Sequence, residues 1–292
     1  LKGDLDASRA SGAVTATTFT NGTGSAVGVS VITGSGATTL TGTTAGDTLT
    51  VNATALADDI ALTTAGAGNF TITGFKGDLT NTGSGTNAIT LADNTDGNYT
   101  ITSSTTISVA NGTAQDDDTI TLAGAGNKTV TGLVADVSLA STNTGTTAVT
   151  TGDASLAIAS HASAGNLSVN ATAAAENKTL TLSGGANAKS ATLTGMNSTL
   201  VATNLASALT IGLVDATSNA ISITTGTHTT TLNDSIGGDT VTVNAAALAD
   251  DASLTTAGAS AYTVTTLKGD LDASRASGAV TATSFTNGTG RA

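Results

Sequence analysis

Carboxylates are the side chains whose spacing best suits chemistry in this sequence. Adjacent acids stand at Asp58/Asp59, Asp116/Asp117/Asp118 and Asp250/Asp251, and alternating acids at Asp4/Asp6 and Asp270/Asp272. Calcium gathers roughly six to eight oxygens, so neighbouring carboxylates in one turn, helped by carbonyls from the next, suit it. Asp58, Asp59, Asp116, Asp117, Asp118, Asp250 and Asp251 are therefore the candidate metal ligands. The competing role is structural: Asp in a turn bonds its own backbone and keeps the surface soluble. Glu176-Asn177 stands where a third acidic pair belongs, which argues against one metal role shared by every copy.

Other chemistry finds less support. His161 and His228 have no spaced partners, so no triad or histidine metal site is evident. Sugar-stacking aromatics are few: Phe19, Phe70, Phe75, Tyr99, Tyr262 and Phe285. Catalytic acids are singular whereas these recur, so no enzyme activity is expected. Thr-x-Thr triplets are frequent; on a flat face they would suit ice, but threonine is also a good strand former whose ladders stabilise a sheet. Asn-x-Ser/Thr occurs twelve times, for example at Asn52, Asn98, Asn111, Asn177 and Asn197, which allows glycosylation without establishing it.

Composition narrows the classes further. The 292 residues carry a net charge of −12, with 10% charged and 2% aromatic side chains. There are 64 Thr and 35 Gly, and no Pro, Cys or Trp. An acidic chain without a basic stripe is a poor nucleic-acid binder. No apolar run is long enough for a membrane helix, so membrane insertion is not expected. Without thiols there is neither a disulfide framework nor a thiolate zinc site. At 39% apolar and few charges, the chain is also unlike a disordered one.

Repetition is the strongest signal. Residues 1–26 recur at 267–292 with two differences, Thr18/Ser284 and Ser25/Arg291, an offset of 266. Within that period, 51–79 matches 243–271 in 20 of 29 places, and weaker copies begin at Val109 and Val169. Aligned on Val51, Val109, Val169 and Val243, the copies share an acid at Asp58, Asp116, Glu176 and Asp250. They share Leu62, Ile120, Leu180 and Leu254 as core partners, and Gly66, Gly124, Gly184 and Gly258 in a following turn. Triplets such as Thr71-Ile72-Thr73 and Thr263-Val264-Thr265 come next. The intervals of 58, 60, 74 and 74 add to the same 266. Each shared glycine marks a tight turn that needs positive φ or close backbone approach.

Short stretches alternating with a period of two surround these landmarks: TLTV at 48–51, FTIT at 70–73, YTIT at 99–102 and TITL at 119–122, with KTVTG, TLTL, ATLTG, ISIT, TVTV and YTVT beyond. Gly, Asn, Asp or Ser bounds each one, as strands require. Short, repeating strands favour a solenoid, in which each repeat buries its apolar residues against its neighbours. Missing proline agrees, because a stacked strand donates nearly every N–H to the next turn. The expected fold is all-β: an elongated parallel β-solenoid of roughly 20 to 22 residues per turn, built from four degenerate repeats. As one continuous array over 1–292, the repeats fall at about 1–74, 75–132, 133–196 and 197–266, and 267–292 begins the next period. Neither end reads as a cap, so the expectation is a piece of a longer array or a subunit that adds end to end.

The phrases LKGDLDAS, VNATALADD and LTTAGA resemble the β-strand-repeat regions of giant secreted bacterial surface proteins, alongside RTX adhesins and some S-layer proteins. The resemblance covers nearly the whole chain. It implies an extracellular, cell-attached protein whose repeats act as stalk, fibre or coat. The tandem calcium nonapeptide of RTX proteins survives only as fragments, around Gly46-Asp47 and Gly237-Gly238-Asp239. The expected function is thus a structural repeat segment of a surface fibre supporting adhesion or coat formation. Its expected partners are copies of itself, with surface glycans as a further class and calcium the one expected ion. The alternatives are an ice- or glycan-binding module, an S-layer lattice protein, and a β-helix enzyme acting on polysaccharides.

Overall fold

The computed structural model describes residues 1, 3–19, 28–93, 97–115, 117–161, 165–186, 189–214, 220–235 and 237–286. Asp116, one of the candidate ligands, lies outside them. The chain divides into two compact units, Leu1–Thr146 and Thr147–Ala292.

In the first unit one sheet contains β1 (Leu5–Asp6), β3 (Val29–Ile32), β5 (Thr48–Asn52), β7 (Asn69–Phe75), β9 (Asn87–Leu91), β11 (Ile107–Ala110) and β13 (Lys128–Leu133), paired in that order. The strands between them in sequence form the other sheet: β2 (Val14–Phe19), β4 (Thr38–Gly42), β6 (Ala61–Gly66), β8 (Asp78–Asn81), β10 (Asn98–Ser103), β12 (Thr119–Ala123) and β14 (Asp136–Leu139).

The second unit repeats the plan. One sheet holds β15 (Thr147–Thr151), β17 (Leu167–Asn170), β19 (Ser190–Met196), β21 (Ala208–Leu213), β23 (Thr230–Asn233), β25 (Ser253–Gly258) and β27 (Asp270–Ala276). Its other sheet holds β16 (Leu156–Ser160), β18 (Thr179–Gly184), β20 (Thr199–Val201), β22 (Ala220–Thr224), β24 (Thr240–Ala245), β26 (Ala261–Leu267) and β28 (Val280–Ala282). Each unit is a parallel β-solenoid, and no helix occurs among the described residues.

Alternation along each strand drives the winding. Every second residue points inward, and the register places like on like. Val31, Val51, Ile72, Ile89, Val109 and Val130 form one interior column of the first unit. Leu62, Leu79, Ile101, Leu122 and Leu139 form the facing one. All eleven side chains are buried, and each stacked pair removes apolar surface that a single turn cannot cover alone. The second unit does the same with Leu180, Leu200, Ile223, Val243 and Val264.

The alternating segments read from the sequence all lie in strands. The turns are unequal, however: paired residues on successive turns lie 17 positions apart at Phe70 and Asn87 but 26 apart at Leu5 and Val31. Corners absorb the difference, because the register constrains the strands and leaves corner length free.

The shared glycines stand where the alignment puts them. Gly66, Gly124, Gly184 and Gly258 have φ of 87°, 86°, 75° and 97°. A Cβ at Gly66 would sit 2.1 Å from the Gly42 carbonyl oxygen, and one at Gly258 1.8 Å from that of Asp234. Both the conformation and the space exclude a side chain.

One property of the repeats was not legible in the alignment. Val51, Val109 and Val169 lie on odd-numbered strands (β5, β11 and β17), whereas Val243 lies on even-numbered β24. Likewise Leu62, Ile120 and Leu180 lie on β6, β12 and β18, but Leu254 lies on β25. The fourth copy is therefore displaced by half a turn. This is possible because both sheets of a solenoid present the same inward alternation and the same kind of corner.

Candidate functional site

The acidic residues occupy corners between strands, built by the same local bonds. After β5, the Asn52 Oδ1 accepts the Thr54 N–H at 3.0 Å and the Thr54 hydroxyl at 2.7 Å. The Leu56 N–H then donates to the Ala53 carbonyl, and the Ile60 N–H to that of Ala57. Leu56 is buried beneath this corner, and Asp58 sits at its rim. The corner after β24 repeats the scheme: Asn244 Oδ1 accepts the Ala246 N–H at 3.1 Å, and Leu248 and Ala252 donate to Ala245 and Ala249.

Each of these two acids meets a lysine from the following turn. Lys76 Nζ lies 3.4 Å from Asp58 Oδ1, and Lys268 Nζ 3.3 Å from Asp250 Oδ1. Neither lysine stands out as chemistry in the sequence, yet both occupy the same place in the shared Lys-Gly-Asp-Leu phrase, and that placement was the available signal. The adjacent Asp59 and Asp251 are exposed, and Asp59 adopts φ of 58°, a conformation that Asp tolerates better than most residues.

No family model matches this chain, and no curated protein or solved structure matches it.

The second copy departs from this arrangement. At the position of Lys76 it carries Val134, whose N–H donates to Asn111 Oδ1 at 3.1 Å. Asp117 is exposed, but Asp118 is buried. Its Oδ2 accepts the Gln115 N–H at 2.7 Å and the Tyr99 hydroxyl at 3.2 Å, and its Oδ1 has no hydrogen-bond partner among the described residues. Burial is the main cause that raises the Asp118 pKa, with the charges of Asp117 and Asp93 adding to it. Burial likewise raises that of Tyr99.

Nearby, Lys128 takes the interior position that Phe70 and Tyr262 fill in the first and fourth copies. Its ammonium donates to the carbonyls of Ser103 and Gly124 at 3.2 Å and to that of Gly126. Burial pushes its pKa down to about 8. Beside it, Asn81 links Thr64, Ser103 and Thr105 through its amide at 3.1, 3.0 and 2.8 Å.

The remaining acids act locally. Asp4 Oδ1 accepts the Ser30 N–H at 2.9 Å. Asp6 and Asp272 each accept a Ser N–H two residues on, which holds both carboxyls below the usual carboxylate range. Glu176 of the third copy faces Asn197 in place of a lysine, across a shallow depression that both residues line. Among the described residues, no group of three or more His, Cys, Asp and Glu gathers as a ligand set. The acids are spread along the corners, not brought together.

Proposed function

We propose that this chain is a structural repeat segment of an extracellular surface fibre, stalk or filament, and that it is not an enzyme. The observation that carries the reading is the pairing of Asp58 with Lys76 and of Asp250 with Lys268 in matching corners. The most chemistry-ready groups are engaged in closing turns, and they do so repeatedly. A catalytic or recognition site instead concentrates unlike groups at one place. The net charge of −12 adds mutual repulsion that keeps neighbouring solenoids apart.

Calcium at the acidic corners is the finer part of this reading. It requires Lys76 or Lys268 to yield its carboxylate to the ion, and it would draw on Asp59 or Asp251 and nearby carbonyls. Electron microscopy of the purified chain with and without a calcium chelator tests both parts. Thin uniform fibres are expected, and chelator should shorten or dissolve them if calcium bridges corners. Compact, unjoined particles under both conditions would overturn the fibre reading.

A further inference from the structure

The corner between β11 and β12 closes without the lysine that Asp58 and Asp250 meet, because Val134 stands at that position. It also holds a carboxylate that the fold leaves half used. Asp118 is 1% exposed, and the Gln115 N–H and the Tyr99 hydroxyl both go to Oδ2. Oδ1 is buried and has no hydrogen-bond partner among the described residues. An unpartnered carboxylate oxygen held away from water is unfavourable, so this atom calls for a proton or a cation.

The space beside that oxygen is already shaped. It lies over Gly97, in the corner of the preceding turn, which has φ of 75° and no side chain. A Cβ at Gly97 would sit 3.7 Å from Asp118 Oδ1 and 3.2 Å from the Asp117 carbonyl oxygen. Two oxygens of one corner thus border the same gap, and a side chain at Gly97 would fill it. More negative charge stands close by. The charges of Asp117 and Asp93 add to burial in raising the Asp118 pKa, and the Asp93 N–H donates to the Thr113 hydroxyl of this corner at 3.1 Å. Among the described residues, none of these acids forms an ion pair with a lysine or arginine.

We propose that Asp118 Oδ1 and the Asp117 carbonyl bind a calcium ion in the gap over Gly97, with the carboxylates of Asp93 and Asp117 and water completing its shell. The proposal deepens the calcium part of the fibre reading by naming the corner that takes the ion. Calcium gathers roughly six to eight oxygens, and carbonyls and water supply many of them, so three converging carboxylates are not required. Where Asp58 and Asp250 must first give up a lysine, this corner has only a proton to lose. Magnesium suits it less, because it demands near-octahedral ligands and sheds its water reluctantly. The bound ion ties the corner between β9 and β10 to the corner stacked on it.

Terbium, which occupies calcium sites and luminesces when a nearby tyrosine is excited, tests the site. The chain has two tyrosines and no tryptophan, and the Tyr99 hydroxyl lies 3.2 Å from Asp118 Oδ2. Terbium added to the whole chain should therefore luminesce under tyrosine excitation, and calcium should displace it with a Kd below about 1 mM, the range of extracellular calcium modules. Tyr99→Phe should abolish the signal and Tyr262→Phe should not. Asp118→Asn, which keeps the size of the side chain, should weaken calcium binding in calorimetry by about tenfold or more, as for loss of a charged ligand. Gly97→Ala, which fills the gap, should weaken it likewise, and circular dichroism checks that each variant keeps its sheets. Asp153→Asn removes a charge far from this corner and should leave the affinity unchanged. Unchanged affinity in Asp118→Asn, luminescence that survives Tyr99→Phe, or no binding at millimolar calcium would each overturn the site and leave the fibre reading to microscopy. Unjoined particles whose calcium binding is lost in Asp118→Asn would instead sink the fibre reading alone.

Discussion

The first and second copies of the repeat place their charges in opposite ways. In the copy starting at Val51, Phe70 faces inward, Ile60 is half-buried, and Asp58 pairs with Lys76 at the corner's rim. In the copy starting at Val109, the positions of Ile60 and Phe70 carry Asp118 and Lys128, both buried, and Val134 replaces the lysine of the rim. The same winding thus tolerates a charge outside or inside, but on different terms. Outside, an ion pair adds little and costs little. Inside, every polar atom needs a partner: Lys128 takes three carbonyls, while among the described residues Asp118 finds partners for one of its two oxygens. Interior charge is therefore a local commitment of neighbouring corners and no general property of the repeat.

The largest expected effect comes from breaking the interior side. Lys128→Ala removes the donor from three buried carbonyls and leaves a cavity, and should lower unfolding stability by roughly 3–5 kcal/mol. Lys128→Met keeps most of the volume and should cost roughly 1–3 kcal/mol, the penalty for the orphaned carbonyls. Urea unfolding checks both. The pH dependence has a definite sign. The folded-state pKa of about 8 lies below the ordinary 10.5, so the unfolded chain binds more protons between those values. Wild type should gain stability relative to Lys128→Met as pH rises through that window.

Asp118→Asn is the next test. Because burial raises the Asp118 pKa above the ordinary 3.8, the folded chain binds the extra proton. Wild type should therefore lose stability relative to the variant as pH climbs from 3.8 through the raised value. The gap should level off once the pH has passed the raised value. A gap that does not change with pH would remove the buried charge from the account.

Breaking the surface side should matter least. Lys76→Ala should cost under about 1 kcal/mol, and less at high salt. Val134→Lys, which gives the second copy the lysine of the first, should change stability by no more than about 0.5 kcal/mol. Lys76→Gln with Lys268→Gln sharpens the metal question. Freed of their lysines, the two corners should bind calcium more tightly in a titration, and unchanged binding would remove calcium from these corners.

Much of the fold was legible because β-solenoid information is local and repeated. The alternation in TLTV and FTIT locates strands, and four glycines at a fixed offset locate the tight turns. Two things were hidden. The half-turn displacement of the copy at Val243 leaves no mark on its residues, since either sheet accepts the same pattern. The partners of the acids were hidden because contact follows the register between turns. Lys76 reaches Asp58 across 18 positions, and corner length, which varies freely, sets that distance. Asp118 looked like the end of an exposed acidic run; the fold buries it, and the Tyr99 hydroxyl from the preceding turn reaches it there.

The half-turn displacement also bears on how such a chain is copied and shuffled. If a duplicated segment had to span whole turns, most unequal crossovers between repeats would turn the interior columns outward and yield no folded product. Because either sheet accepts the same sequence, crossovers offset by half a turn are viable as well. That widens the set of productive recombination points beyond whole-turn offsets.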